Sequence, residues 1–130
     1  MNFHGEKNLI TVLNLTAMIS FEEVTRSALS FEEALELPHF ENISFRVKKK
    51  IFATLNKVEN RACLKLSLID QEVFSTTNPG IIYPVPNKWG KQGWTLVDIR
   101  KVKKPVFKDA ITCAYCNVAP AKLGEQYRAI

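Results

Sequence analysis

The sequence is short of the residues that most often carry chemistry. It has two histidines, His4 and His39, and three cysteines among 130 residues. An odd cysteine count without a convincing signal peptide argues against a secreted disulfide framework and points to free thiols in a reducing compartment. The histidines stand far apart in the chain, so the Cys113-Ala114-Tyr115-Cys116 pair has no second half of a zinc site. That pair also falls late in an expected helix, whereas a redox dithiol needs its attacking sulfur at a helix N-terminus. His39, flanked by Glu36 and Glu41, is the one candidate for acid–base work. Neither a hydroxyl nucleophile nor a glycine-rich phosphate cradle accompanies it, and a structural hydrogen bond is its better reading. Long apolar runs are missing as well. Leu9 to Leu15 falls far short of the roughly 20 residues that span a bilayer, and Glu6 and Asn14 spoil it as a secretory core. These absences lead to the expectation of a cytoplasmic, monomeric, non-enzymatic protein with no cofactor, metal or membrane contact.

What the chain does have is an ordinary folded composition and a surplus of positive charge. An apolar fraction of 46% and a charged fraction of 24% suit one soluble domain with a single core. The net charge of +5 and pI near 9.2 favour an anionic partner, nucleic acid being the commonest for a small soluble protein. A basic surface that only keeps the protein soluble is the plain alternative.

Residues 1–17 read as an N-terminal extension, poorly ordered unless Leu9 to Leu15 adds a strand to a sheet edge; Met18 is a candidate alternative start. A domain over 18–124 and a tail over 125–130 follow. Ser20-Phe21-Glu22-Glu23 has the spacing of a capping box, and Phe21, Val24, Ala28 and Leu29 recur at helical intervals. Ser30-Phe31-Glu32-Glu33 repeats the cap pattern, leaving either one long helix to Leu37 or a break near Phe31, with Pro38 as the stop. Ser44 to Val47 and Ile51 to Leu55 form a hairpin with Lys48, Lys49 and Lys50 at its reversal. Arg61 to Leu66 alternates, with Ala62, Leu64 and Leu66 on one face. A short helix over Ile69 to Thr76, capped by Ser67, and a brief strand over Ile81 to Tyr83 come next. The strand Trp94 to Ile99 has apolar residues on both faces, and a helix from Pro105 to about Val118 closes the chain. Helices at the ends with strands between them give a two-layer α+β fold, an antiparallel sheet with helices packed on it.

The basic residues are concentrated in three places. Lys48, Lys49 and Lys50 occupy the hairpin tip. Lys88, Trp89 and Lys91 lie in Asn87-Lys88-Trp89-Gly90-Lys91-Gln92-Gly93-Trp94, a basic, flexible loop delivered onto a strand. Lysines there contact phosphate as point charges, without reading bases, while Trp89 either stacks on a base or folds back onto Tyr83 or Trp94. Lysines at a strand reversal also serve simply to keep edges soluble. The third cluster is Arg100, Lys101, Lys103 and Lys104, just before a helix whose N-terminus already carries partial positive charge. Such crowding calls for an anion, either a ligand or a carboxylate of the chain itself.

Several segments, in order and at their spacing, resemble the MmcQ/YjbR family of small bacterial proteins. They are Pro38-His39-Phe40, Ser44-Phe45-Arg46-Val47 with Lys50-Ile51-Phe52-Ala53, Leu64-Lys65-Leu66-Ser67, the stretch from Pro86 to Trp94, and Val118-Ala119-Pro120-Ala121-Lys122-Leu123. The resemblance covers roughly Ile19 to Leu123 and implies a compact α+β fold in a double-wing arrangement, with a DNA-binding role that falls on the wing lysines. The N-terminal extension, the cysteine pair and the basic Arg100 to Lys104 stretch depart from the family pattern. The fold also looks like that of secretion-chaperone domains. The rival expectation is therefore a protein-interaction module whose second sheet face, carrying Phe52, Trp94 and Leu96, meets a partner.

Overall fold

Ser20 opens the first described helix as its sequence context requires. The Glu23 backbone N–H donates to Ser20 Oγ at 3.1 Å, and the Ser20 N–H donates to Glu23 Oε1 at 3.2 Å, closing the capping box. This is seen in a computed structural model that describes residues 19–128; the expected extension over 1–17 lies outside them. Helix α1, Phe21–Leu29, buries Val24 and Ala28 but leaves Leu29 exposed. It stops there because Phe31 turns into the core and Glu33 takes a left-handed φ of 63°. The chain therefore breaks near Phe31 and returns as a strand, β1, Leu35–His39. Pro38 terminates no helix. It sits within this edge strand, the place in a sheet that tolerates a missing donor.

Five further strands follow: β2, Asn42–Val47; β3, Lys50–Asn56; β4, Arg61–Lys65; β5, Ile82–Pro84; and β6, Trp94–Asp98. They form one antiparallel sheet in the order β1-β2-β3-β4-β6-β5. Helix α2, Leu68–Thr77, joins β4 to β5, and Ser67 caps it by accepting the Asp70 N–H at 3.1 Å. Helix α3, Lys104–Val118, follows β6 and packs on β3 and β4, while α1 packs on β3 and α2 on β5. A single turn, α4, Ala121–Gly124, and a 3-10 turn over Glu125–Tyr127 complete the described chain. The fold is α+β in two layers, with the helices gathered on one sheet face.

The core lies between those layers. Ala62, Leu64, Thr95 and Val97 alternate inward from β4 and β6, each at most 1% exposed. Strand β3 departs from simple alternation. Phe45 pairs with Ala53 and Arg46 with Ile51, which leaves Phe52 as the extra residue of a β-bulge. Both Phe52 and Ala53 consequently face the helices, and Phe52 is fully buried. The expectation that Phe52 lies on the second sheet face is thus overturned by the bulge, which period-two reading does not anticipate.

Phe52 belongs to a cluster of four rings, with Phe31, Tyr115 and Tyr127. Phe31 stacks on Tyr115 at 4.6 Å between centroids, and Phe52 meets Tyr115 edge-on at 5.4 Å. Tyr127 closes the cluster edge-on to Phe31 at 5.1 Å and to Tyr115 at 5.3 Å. Both tyrosine hydroxyls serve the turn after α1: Tyr115 donates to the Glu32 carbonyl at 2.6 Å, and Tyr127 accepts the Glu32 N–H at 2.8 Å. Packing therefore extends past residue 124. Replacing Phe52→Ala is expected to cost about 3–5 kcal/mol in urea unfolding. Ile51→Ala, one residue away on the open face, is expected to cost less than half as much; equal costs would contradict the bulged register.

Candidate nucleic-acid interface

The first basic loop is the β2–β3 turn. Val47 pairs with Lys50, so the chain reverses in two residues, Lys48 and Lys49. Their φ angles are 50° and 70°. Positive φ at both positions is the type I′ form of a two-residue turn, which matches the strand twist and which Asn-Gly fills with least strain. A lysine in the left-handed region costs roughly 1–2 kcal/mol, so charge stands here against local backbone preference. Lys48 Nζ lies 2.7 Å from Glu33 Oε1, both side chains about half exposed. Lys50 belongs to β3 rather than to the reversal, because so tight a turn has room for only two of the three lysines.

The second basic loop, residues 85–93, is pinned rather than flexible. Buried Gln71 of α2 directs Nε2 to the Gly90 carbonyl at 3.0 Å, the Trp94 carbonyl at 3.2 Å and Thr95 Oγ1 at 3.0 Å. Asn87 Oδ1 accepts the Trp89 N–H at 2.9 Å, and Lys65 Nζ donates to the Gln92 carbonyl. A Cβ on Gly90 would stand 1.9 Å from the Val85 carbonyl oxygen, and one on Gly93, at φ 105°, 1.9 Å from that of Leu66. The glycines thus permit close backbone approach. Lys88, Trp89 and Lys91 are exposed on this fixed loop. Gln71 gave no sign in the sequence, since a glutamine in a short helix usually faces solvent.

The two loops leave the same end of the sheet. From β3 to β6 is two strand spacings, about 10 Å. The cluster from Arg100 to Lys104 follows the other end of β6, about 15 Å away along five residues, and does not join them. Its neutralising anions come from the chain. Arg100 Nε is 3.6 Å from Asp98 Oδ1, and Lys104 Nζ is 2.8 Å from Glu23 Oε2. The Lys104 ammonium holds the Glu23 carboxyl below its ordinary value of 4.5, against the opposing effect of burial. Among the described residues, Lys101 and Lys103 have no carboxylate within ion-pair distance, nor do Lys49, Lys50, Lys88 and Lys91.

On the sheet face away from the helices, cations and rings alternate. Lys65 lies 5.6 Å from the Trp94 ring centroid, Arg61 5.9 Å from that of Tyr83 and Lys88 5.4 Å from that of Trp89. The alternation of β4 already put Arg61 and Lys65 on one face; their pairing with rings of β5 and β6 depends on strand order. Beside these rings is a cleft of about 340 Å³, with Thr54 and Cys63 on the sheet, His39 and Asn42 to one side, and Trp89 and Trp94 to the other. His39 packs edge-on against Phe40 at 4.9 Å between centroids, and among the described residues its ring makes no hydrogen bond. Among the described residues, no lysine or arginine lines the cleft.

The cysteines lie in protected surroundings. Cys113 and Cys116 share a cleft of about 780 Å³ with Asp70 and Asp109. Cys116 is half-buried rather than turned to solvent, because α4 folds back and its Gly124 carbonyl accepts from Sγ at 3.5 Å. Burial, reinforced by Asp70, pushes the Cys113 thiol up to about 11, and burial raises Cys116 and takes Cys63 to about 11. Such thiols stay protonated at neutral pH and are weak nucleophiles. Among the described residues no group of three or more His, Cys, Asp or Glu side chains is placed to hold a metal ion. No described helix is long and apolar enough to cross a membrane.

Fold and surface together define a two-layer α+β domain with lysine-bearing loops at one end of an antiparallel sheet. A family model described as YjbR matches residues 29–117, and the chain belongs to that family. Its fold is similar to that in the crystal structure of the Deinococcus radiodurans protein DR2400, which carries a DUF419 domain. The TM-score is 0.70 at 18% identity, over 85% of this chain and 88% of that one. No curated protein matches the chain.

Two outcomes follow from this geometry. Gln71→Ala strips the shared donor from buried carbonyls and is expected to destabilise the domain by about 1–3 kcal/mol in urea unfolding, with faster hydrogen exchange at Gly90 and Thr95. Glu23→Gln is expected to lower stability near neutrality. A carboxyl whose folded pKa is depressed contributes stability above its unfolded pKa and loses it as pH falls through the folded value. Unfolding curves of parent and variant should therefore converge well below pH 4.5; a gap constant with pH would rule out the Lys104 pairing as its source.

Proposed function

We infer that this chain is a non-enzymatic DNA-binding protein whose contact is weak, salt-sensitive and made by the two basic loops acting as wings. The observation that carries this reading is the turn at Lys48 and Lys49. Two lysines hold left-handed conformations there that Asn-Gly would adopt with less strain, so the turn favours surface charge over its own stability; Lys48 is shared with Glu33, and Lys49 has no carboxylate partner among the described residues. Lys88 and Lys91, presented by a pinned loop at the same end of the sheet, supply a second point of attachment. Lysine ammonium groups neutralise phosphate without reading base edges, which gives affinity with little sequence preference. Arg100 and Lys104, paired to Asp98 and Glu23 at the far end, take no part in this reading.

A protein-interaction module is the second reading, and one observation favours it. Edge strand β1 and the turn after it expose Leu35, Leu37 and Phe40, at 62%, 43% and 94%. An apolar strand edge suits addition of a partner's strand. The sheet face named for that role loses Phe52 to the core.

Lys49→Gly separates charge from folding. The variant is expected to be more stable than the parent by roughly 0.5–1 kcal/mol in urea unfolding, because glycine relaxes the turn. Its DNA affinity should nevertheless fall, with the log K against log salt slope shallower by about 0.9 for the lost phosphate contact. Lys88→Ala/Lys91→Ala should reduce the slope further, and Lys101→Ala/Lys103→Ala should leave it unchanged. Absence of binding to DNA even at low salt would remove the reading and shift attention to the β1 edge.

A further inference from the structure

We propose that the cleft on the open sheet face, between Trp89 and Trp94 on one side and His39 and Asn42 on the other, receives an unpaired nucleobase of a single strand. The proposal rests on the nucleic-acid reading above and narrows it from phosphate contact to a base-stacking site. The cleft volume of about 340 Å³ lies at the low end of small-ligand pockets, roughly 300–1,000 Å³. It suits one planar ring and is too small for a duplex. Trp89 is 48% exposed, and among the described aromatic pairs none engages it, so about half of its surface is open to a ligand.

Charge complementarity identifies the occupant. A lysine lies near each tryptophan: Lys88 5.4 Å from the centroid of Trp89, and Lys65 5.6 Å from that of Trp94. The ring offers a π face to a base, and the ammonium that lies over it in the free protein would turn to the adjoining phosphate, matching the two halves of a nucleotide. Among the described residues the cleft lining carries no lysine or arginine, so the anionic part of the ligand stays at the rim while the neutral ring enters. Asn42 offers an amide donor and acceptor opposite the tryptophans, suited to a base edge. A stacked duplex keeps its base faces covered, whereas a single strand can splay them out. Along the same face Arg61 lies 5.9 Å from the centroid of Tyr83, extending the alternation of cation and ring past the cleft.

The test uses the full chain, whose two tryptophans both line the cleft and report on it by their own fluorescence. A short oligodeoxyuridylate and the oligouridylate of the same length are titrated beside an abasic phosphodiester strand of that length and a duplex. The base-bearing strands are expected to bind roughly 5- to 100-fold more tightly than the abasic strand and to quench tryptophan emission. A preference for the deoxyribose or the ribose strand distinguishes DNA from RNA as the source of the base, and either supports the site. Trp89→Ala should abolish most of the advantage over the abasic strand, Trp89→Phe should retain most of it, and both should unfold at the parent's urea midpoint because the ring lies outside the core. Equal, salt-sensitive binding of base-bearing, abasic and duplex ligands overturns the base site and leaves the phosphate reading standing. No binding of any ligand at low salt overturns both.

Discussion

Phe52 reaches the helices only because β3 spends one extra residue against β2. That bulge lets consecutive side chains, Phe52 and Ala53, face the core while Ile51 stays on the opposite side. Much of the architecture follows from it. Phe52 contacts Phe31 and Tyr115, Tyr127 joins them, and Glu32 is held through its backbone by both tyrosine hydroxyls. The cluster ties the turn after α1, the middle of the sheet, α3 and the C-terminal turn into one body. It also fixes which sheet face is committed to the helices and which is open.

That division organises the charge. The described helices cover one face, and the other carries rings interleaved with Arg61, Lys65 and Lys88, together with a cleft that no described helix fills. Where cations crowd the N-terminus of α3, the chain answers with Glu23 and Asp98. Where they crowd the two loops at the other end, Glu33 answers one of them, Lys48, and the remaining lysines stand without carboxylate partners among the described residues. Positive charge of the same density in sequence thus has two fates. In one cluster two of four cations, Arg100 and Lys104, are neutralised as part of the structure, and the other is held out on rigid supports. Gln71 and the close approaches at Gly90 and Gly93 supply that rigidity on one side, and the two-residue turn supplies it on the other.

Much of the fold was legible in the residues alone because its signals are local. The Ser20–Glu23 capping box, the Ser67 cap, the alternation of Ala62, Leu64 and Leu66, and the apolar stripe of α3 all rest on spacing within a few positions. The strand at Leu35–His39 was missed because Glu-rich Ser30 to Leu37 has helical composition; burial of Phe31 against Tyr115 outweighs that propensity. The bulge escaped because nothing in Lys50-Ile51-Phe52-Ala53 marks an unpaired residue until β2 is laid beside it.

The sequence by itself determined the class of fold, the element order apart from the strand at Leu35–His39, the family resemblance and which residues are charged, since these depend on composition and on periodicities of two and 3.6 residues. Only the tertiary structure decided which of ten candidate site residues share a surface. Strand order places Lys48 to Lys50 and Lys88 to Lys91 at one end of the sheet and Arg100 to Lys104 at the other, although the second and third groups are the closer pair in sequence. Strand order also brings Cys63, Trp94 and His39 to one cleft from three separate strands. The reason is physical: a strand carries its two ends well over 10 Å apart while its neighbour across the ladder is about 5 Å away, so proximity along the chain and proximity in space are set by different bonds.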